Sequence, residues 1–154
     1  MLCLVDAGGN YATIPLLRDV PAAGPPAEVN ESDVESWAII YKDTRWLPHG
    51  AENYTCIRVR RKGMYPILDN GDIVAIDYSA RPTDIEHLKR LNGKIVVFRV
   101  NSGVIIKWLK FLEDKRTVIG TPENHSELGY AAMLQGDEIN QSIVGVVRWW
   151  WSKR

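Results

Sequence analysis

Lys107 is the residue of this 154-residue chain whose type and setting most suggest chemistry. It interrupts an apolar run at 104–109, and in a strand it would share one face with Ile105 and Leu109. Two apolar neighbours on the same face argue against a fully solvated position for the lysine. An alternating strand also accommodates a lysine as its ordinary polar member, so the residues alone leave a buried and a surface lysine equally open.

Metal and thiol chemistry have weaker support. The three histidines, His49, His87 and His125, stand in polar surroundings with no other His or Cys at ligand spacing. The two cysteines, Cys3 and Cys56, form neither a metal spacing nor a disulfide framework. We therefore expect no metal, no cofactor and two reduced structural thiols.

Charge and composition exclude several classes of protein. Nineteen basic and nineteen acidic residues give zero formal charge, so there is no general basic field for nucleic acid or an anionic membrane. The basic run at 58–62 is interpreted as charge that protects an edge strand. No apolar run approaches the roughly 20 residues needed to span a bilayer. These features predict a soluble, cytoplasmic protein with no membrane contact and no direct nucleic-acid contact.

Short strands must position the candidate residues. The Asp-Asn-Gly-Asp sequence at 69–72 is typical of a turn between two strands, and Asn-Ser-Gly at 101–103 is typical of a tight hairpin. One helical turn is predicted at 84–89. Strands are predicted at 37–41, 55–59, 73–76, 94–100, 104–111, 117–120 and 142–151. The fold class is therefore mainly β.

The N-terminal segment differs from the rest of the chain. Four prolines and three glycines interrupt its first 26 residues, which is typical of an extended arm. A capping-box pattern at 32–35 would start a short helix, but the apolar run that follows favours a strand. We predict an extended arm over residues 1–35 and one domain over residues 36–154.

Three stretches, in this order, resemble the C-terminal domain of LexA-like and phage-type repressors, which are self-cleaving serine peptidases related to the UmuD-type proteins. Val-Pro-Ala-Ala-Gly at 20–24 resembles the cleavage loop and places the scissile-like bond between Ala23 and Gly24. The segment at 57–74 follows the nucleophile segment, and 93–107 resembles the hairpin that carries the general-base lysine. The resemblance implies a LexA/signal-peptidase-like fold of small twisted sheets, with Lys107 in the position of the base.

The chain departs from this family at the residue that matters most. Alignment on Met64 and Pro66 puts Gly63 at the position of the serine nucleophile. In the family mechanism a buried lysine, kept neutral by desolvation, takes the proton of that serine. Gly63 offers no hydroxyl, so the Ser-Lys dyad is broken and we expect negligible self-cleavage. Arg61 and Lys62 depart from the family pattern as well, which favours natural loss of the serine over an engineered change.

Three functions remain open on these grounds. The leading one is a non-catalytic regulatory and dimerisation domain of a LexA-like or prophage-type transcriptional repressor, with no helix-turn-helix on this chain. Its partners would be itself, as a homodimer, and a DNA-binding domain or partner chain that is missing here. The resemblance implies an interface at the C-terminal strand, where Trp149, Trp150 and Trp151 are the candidates. The alternatives are a self-cleaving peptidase mutated at Gly63 and a non-catalytic peptide-binding module.

Overall fold

A computed structural model describes residues 9–18, 24, 26–42, 45, 47, 50–100, 103–114, 116–124, 130–133 and 142–152. Its strands are β1 (Tyr11–Leu17), β2 (Val34–Tyr41), β3 (Tyr54–Arg58), β4 (Ile73–Asp77), β5 (Ile95–Val100), β6 (Gly103–Leu112), β7 (Thr117–Thr121), β8 (Tyr130–Met133) and β9 (Ile143–Trp151). The helices in these residues are α1 (Ile85–Arg90) and 3-10 helices at Pro26–Glu28, Glu31–Asp33, Ala51–Asn53 and Tyr78–Ala80.

The described strands form one sheet in the order β2-β1-β3-β4-β9-β5-β6-β7-β8. Neighbours are antiparallel except β1 and β3, which are parallel and pair at Leu16 and Cys56. The prediction of a mainly β fold is therefore confirmed. The strands that position the candidate site, β3 and β6, lie on either side of the central pair β4 and β9.

Local sequence explains the connections between these strands. The turn after β3 closes with a 3.0 Å hydrogen bond from the Asp72 amide to the Asp69 carbonyl, and Gly71 has a φ of 91°, which suits glycine. Val100 pairs with Gly103, so the predicted hairpin from β5 to β6 is confirmed. The predicted helical turn is α1, which Asp84 caps by accepting from the amide of the third helical residue.

The sheet buries apolar side chains on both faces. One face carries a cluster shared by both halves of the sheet, here called the central cluster: Leu17, Val29, Ile57, Val59, Met64, Leu68, Val74, Ile76, Tyr78, Ile95, Val97, Val144 and Val147. The opposite face carries two separate clusters. One lies around Ile14 and Tyr54 under β1, β3 and β4, and the other lies around Phe98 and Leu109 under β5, β6 and β9.

The described part of residues 1–35 corrects the predicted extended arm. Residues 11–17 are strand β1, which pairs with β2 along its length and touches β3. Its residues from Ala12 to its end are buried, Pro15 included. A proline removes one ladder hydrogen bond but keeps an extended backbone, and the burial of Ile14 and Leu16 stabilises the strand in spite of that loss.

The basic run at 58–62 does not protect an edge strand, contrary to the sequence prediction. β3 lies inside the sheet between β1 and β4, and β2 and β8 are the ends of the described strand order. Two of these side chains bind neighbouring segments of the same chain. Arg58 pairs with Glu35 at 3.3 Å, and Arg60 donates to the carbonyl of Arg18 at 3.1 Å. Among the described residues, no helix has the length and hydropathy to cross a membrane.

Candidate functional site

The turn that follows β3 carries Gly63, which the family resemblance predicts to be at the nucleophile position; we call it the nucleophile turn. The strand continues to Val59, whose amide donates to Asp72 at 2.7 Å and whose carbonyl accepts from Gly71 at 2.6 Å. Gly63 is buried in the turn beyond, and Met64 inserts into the central cluster. Burial of the methionine therefore fixes the depth at which the turn sits on the sheet.

Asn124, just beyond β7, holds this turn from outside. Its backbone amide donates to the Gly63 carbonyl at 2.9 Å, and its side-chain amide donates to the Lys62 carbonyl at 3.1 Å. In a trans peptide the N–H points away from the C=O of the same unit. The amide groups of Gly63 and Met64 therefore point away from Asn124, so that two neighbouring backbone donors share one side of the turn.

Lys107 lies in β6 and is only 9% exposed. It pairs with Val96 and lies on the same sheet face as Leu109, two positions further along β6. Leu109 belongs to the cluster on the sheet face opposite the central cluster. Gly120 on β7 makes room for the lysine stem, because a Cβ atom at that position would lie 3.2 Å from the Lys107 Cβ and 3.1 Å from a ring carbon of Phe98. The structure resolves the alternative left open by the sequence in favour of a buried lysine.

The segment that follows β7 contacts both the Gly63 turn and the strand that carries Lys107. Trp108, next to Lys107, donates its ring N–H to Glu123 at 2.7 Å, and Asn124 holds Gly63. Met64 packs in the central cluster, whereas Lys107 shares its sheet face with Leu109 of the opposite cluster.

The cleavage-like segment is described at one of its two residues. Ala23 lies outside the described residues, whereas Gly24 is buried and its carbonyl accepts from the Thr55 hydroxyl at 3.3 Å. Pro26 and Val29 are buried too, and Val29 is part of the central cluster. Gly24 and Val29 therefore lie on the same sheet face as the nucleophile turn.

The three C-terminal tryptophans have different environments. Trp149 is 7% exposed and packs against Tyr54 with ring centroids 5.4 Å apart, so its side chain belongs to the core of this chain. Trp150 and Trp151 are 40% and 37% exposed. Of the three tryptophans, these two have apolar surface that a partner could cover.

Of the three histidines only His87 lies in the described part of the chain, in α1, whereas His49 and His125 fall outside it. Within the described ranges, no three His, Cys, Asp or Glu side chains come together in a way that could hold a metal ion. Cys3 is outside the described residues, and Cys56 is a buried free thiol.

Burial raises the pKa of the Cys56 thiol to about 12. Because the folded-state pKa is above the unfolded one, the contribution of Cys56 to stability is complete below the unfolded pKa and is lost as the pH rises towards 12. We expect the free energy of unfolding to fall by roughly 1 kcal/mol per pH unit in this window from this thiol alone. Urea unfolding at several pH values should show that the free energy of unfolding declines less steeply with rising pH in Cys56→Ala than in the unaltered chain. Parallel declines for the two chains would contradict the prediction.

Sequence reasoning missed the hydroxyl pair near Gly24 and the role of Asn124. Thr55 and Tyr78 are both buried, and their hydroxyl oxygens lie 2.6 Å apart. The available signal was a threonine on the same face of a strand as Ile57 and Val59, since a buried hydroxyl there requires a polar partner. No signal along the chain could show that this partner is Gly24, 31 residues away.

Comparison with known proteins agrees with this architecture. A scan against protein-family models matches residues 15–148 to the family described as Peptidase S24-like. A search of curated proteins found no match.

Proposed function

Because the match over residues 15–148 shows that the chain belongs to the Peptidase S24-like family, we propose that it is a non-cleaving regulatory and dimerisation domain of a LexA-like or prophage-type repressor. The observation that carries this proposal is a glycine at the nucleophile position of an otherwise complete turn. Lys107 then has no hydroxyl to deprotonate, and no acyl-transfer step can begin.

The backbone at Gly63 does not itself require glycine. The described glycines with positive φ are elsewhere, at Gly9, Gly50, Gly71, Gly93 and Gly103. A serine could adopt this conformation, so the missing group is the hydroxyl and not the fold of the turn. This supports loss of the nucleophile from a scaffold that otherwise kept its shape.

Exposed aromatic residues on β9 support a homodimer. Trp150 and Trp151 pair with Val74 and Ile73 on β4, and as neighbours in a strand they point to opposite faces of the sheet. Tryptophan is enriched among residues that carry most of the binding energy of interfaces. A second copy of the chain packed around the end of β9 would cover an indole ring on each face.

The proposal is tested on the unaltered chain. Incubation at mildly alkaline pH should leave one intact mass, and sedimentation should show a dimer. Trp150→Ser combined with Trp151→Ser should weaken the dimer by at least about 30-fold, the equivalent of about 2 kcal/mol for an interface hot spot. The control is Tyr65→Ser, which removes an aromatic ring of 41% exposure from the nucleophile turn. Fragments from the unaltered chain, or a dimer unaffected by the double change, would contradict the proposal.

A peptide-binding module is the second candidate function. The observation that favours it is the burial of Gly24 and Val29 of this chain's own cleavage-like segment, with Val29 packed in the central cluster. In that function the domain would hold the cleavage-like segment without cutting it. Protection of residues 24–29 from proteases in the isolated chain is the expected result.

A further inference from the structure

We propose that Thr55 and Tyr78 form a binding site for the backbone of one peptide residue, and that Gly24 of this chain occupies it. The Thr55 side chain lies in the middle of β3 with no exposed surface, and Tyr78 is 3% exposed. The Thr55 hydroxyl is 3.3 Å from the Gly24 carbonyl oxygen and 2.6 Å from the Tyr78 hydroxyl.

Tyr78 holds the Thr55 hydroxyl that contacts Gly24. The Thr55 hydroxyl donates to the Tyr78 oxygen at 2.6 Å, and both side chains are buried. Burial raises the pKa of Tyr78 far above its ordinary value, so the phenol stays neutral beside the threonine.

The Thr55 hydroxyl is the donor in both of its contacts, to the Tyr78 oxygen at 2.6 Å and to the Gly24 carbonyl oxygen at 3.3 Å. A hydroxyl has one hydrogen, so the two acceptors share it. The pair therefore offers a donor to the carbonyl group of one peptide residue.

The fold holds both side chains in place before the peptide binds. Thr55 pairs with Ile76 in the β3–β4 ladder. The turn that carries Tyr78 is capped by Asp77, which accepts from the Ser79 amide at 3.0 Å. The Tyr78 carbonyl accepts from both the amide and the side chain of Arg81. Little side-chain entropy remains to be lost on binding.

The site recognises backbone and not side chain, so its ligand is an extended peptide residue. In this chain that residue lies directly after the scissile-like position, and the segment that follows it is buried at Val29. The hydroxyl pair therefore anchors the cleavage-like segment to β3. This role is independent of the proposed dimerisation domain, because it needs neither a nucleophile nor a dimer, and it supplies the contact that the peptide-binding candidate would use.

The test removes each hydroxyl without changing the shape of its side chain. Thr55→Val and Tyr78→Phe should each speed hydrogen exchange of the Gly24 amide by roughly tenfold, which corresponds to a buried polar group left without its partner. Cleavage by an added protease within residues 19–30 should increase in the same variants. Thr55→Ser keeps the hydroxyl and should exchange like the unaltered chain.

A matched control separates anchoring from general destabilisation. Thr13→Val removes a buried hydroxyl from β1. It should not change exchange at Gly24. If Thr55→Val unfolds the chain, exchange rises at all amides, and Tyr78→Phe decides the question. Folded Thr55→Val and Tyr78→Phe chains with unchanged exchange and proteolysis would overturn the proposal.

Discussion

A Gly63→Ser variant, incubated at about pH 9 where more lysine is neutral, is expected to separate into two fragments cut between Ala23 and Gly24. The turn is still held by Asn124, and Lys107 is still buried in β6. Loss of a nucleophile costs on the order of a million-fold in one well-studied serine peptidase, so its return should have the largest effect of any single change here. Intact mass spectrometry over time measures the appearance of both fragments.

Two further variants identify the chemistry. Gly63→Ala adds a methyl group of similar position without the hydroxyl, and it should leave the chain intact. Lys107→Ala added to Gly63→Ser should stop the cleavage, because the serine would lose its base. Fragments from Gly63→Ala, or continued cleavage without Lys107, would show another mechanism. No fragments from Gly63→Ser would show that the site has lost more than its nucleophile.

The cleavage assay can be used only up to a limiting pH. Burial of Cys56 and Tyr78 raises the pKa of both groups, so the folded chain loses stability as the unfolded forms of these groups ionise. An incubation above about pH 10 would mix cleavage with unfolding, since free tyrosine ionises near that pH. Protease contamination in an unfolded sample would cut at many sites, whereas the expected product has one cut.

The sequence predicted the parts of the fold that local patterns specify. The turn at 69–72, the hairpin at Gly103 and the helix capped by Asp84 each depend on residues a few positions apart, and all three are confirmed. The family resemblance predicted the fold class for the same reason, because the motifs on which it rests are short and contiguous.

The arm and the basic run were wrong because neither is decided locally. Proline and glycine around β1 favour an irregular chain, yet the pairing of β1 with β2 joins residues up to 30 positions apart. Burial on both faces of β1 outweighs that local preference. In the same way, the charges of Arg58 and Arg60 gave no information on which strands would lie beside β3.

The sequence predicted which residues form the candidate site but only part of their arrangement in space. Lys107 is buried, an outcome that the sequence left open. The contacts of Glu123 with Trp108 and of Asn124 with Gly63 depend on how β6 and β7 pair, which no spacing along the chain reveals. The roles of Lys107, Gly63 and the Ala23–Gly24 bond remain predictions until the serine variant is measured.

Arg148→Ala is expected to lower the free energy of unfolding by about 2–4 kcal/mol, slightly less than the loss of a fully buried ionic partner. Asp77 has no exposed surface, and the Arg148 Nε atom lies 3.0 Å from its carboxylate. Trp149 and Val147 pair with consecutive residues of β4, so Arg148 is the extra residue of a β-bulge. The bulge directs the guanidinium towards the carboxylate.

Urea unfolding at neutral pH measures this loss, and a double-mutant cycle isolates the pair. Asp77→Asn removes the charge at nearly constant volume, and in that background Arg148→Ala should cost much less, because no buried charge is left unpaired. Equal losses in both backgrounds would show that Arg148 contributes by packing and not by its charge.

The same ion pair should affect the Gly24 site at a distance. Asp77 accepts from both the amide and the hydroxyl of Ser79, and this turn fixes the direction of Tyr78. When Arg148 is absent, the carboxylate loses one of the groups that hold it, and the turn becomes freer to move. Exchange of the Gly24 amide should therefore rise in Arg148→Ala more than the loss of global stability explains. Arg148→Lys keeps a positive charge and should restore part of this protection, which a purely packing role of the guanidinium would not predict.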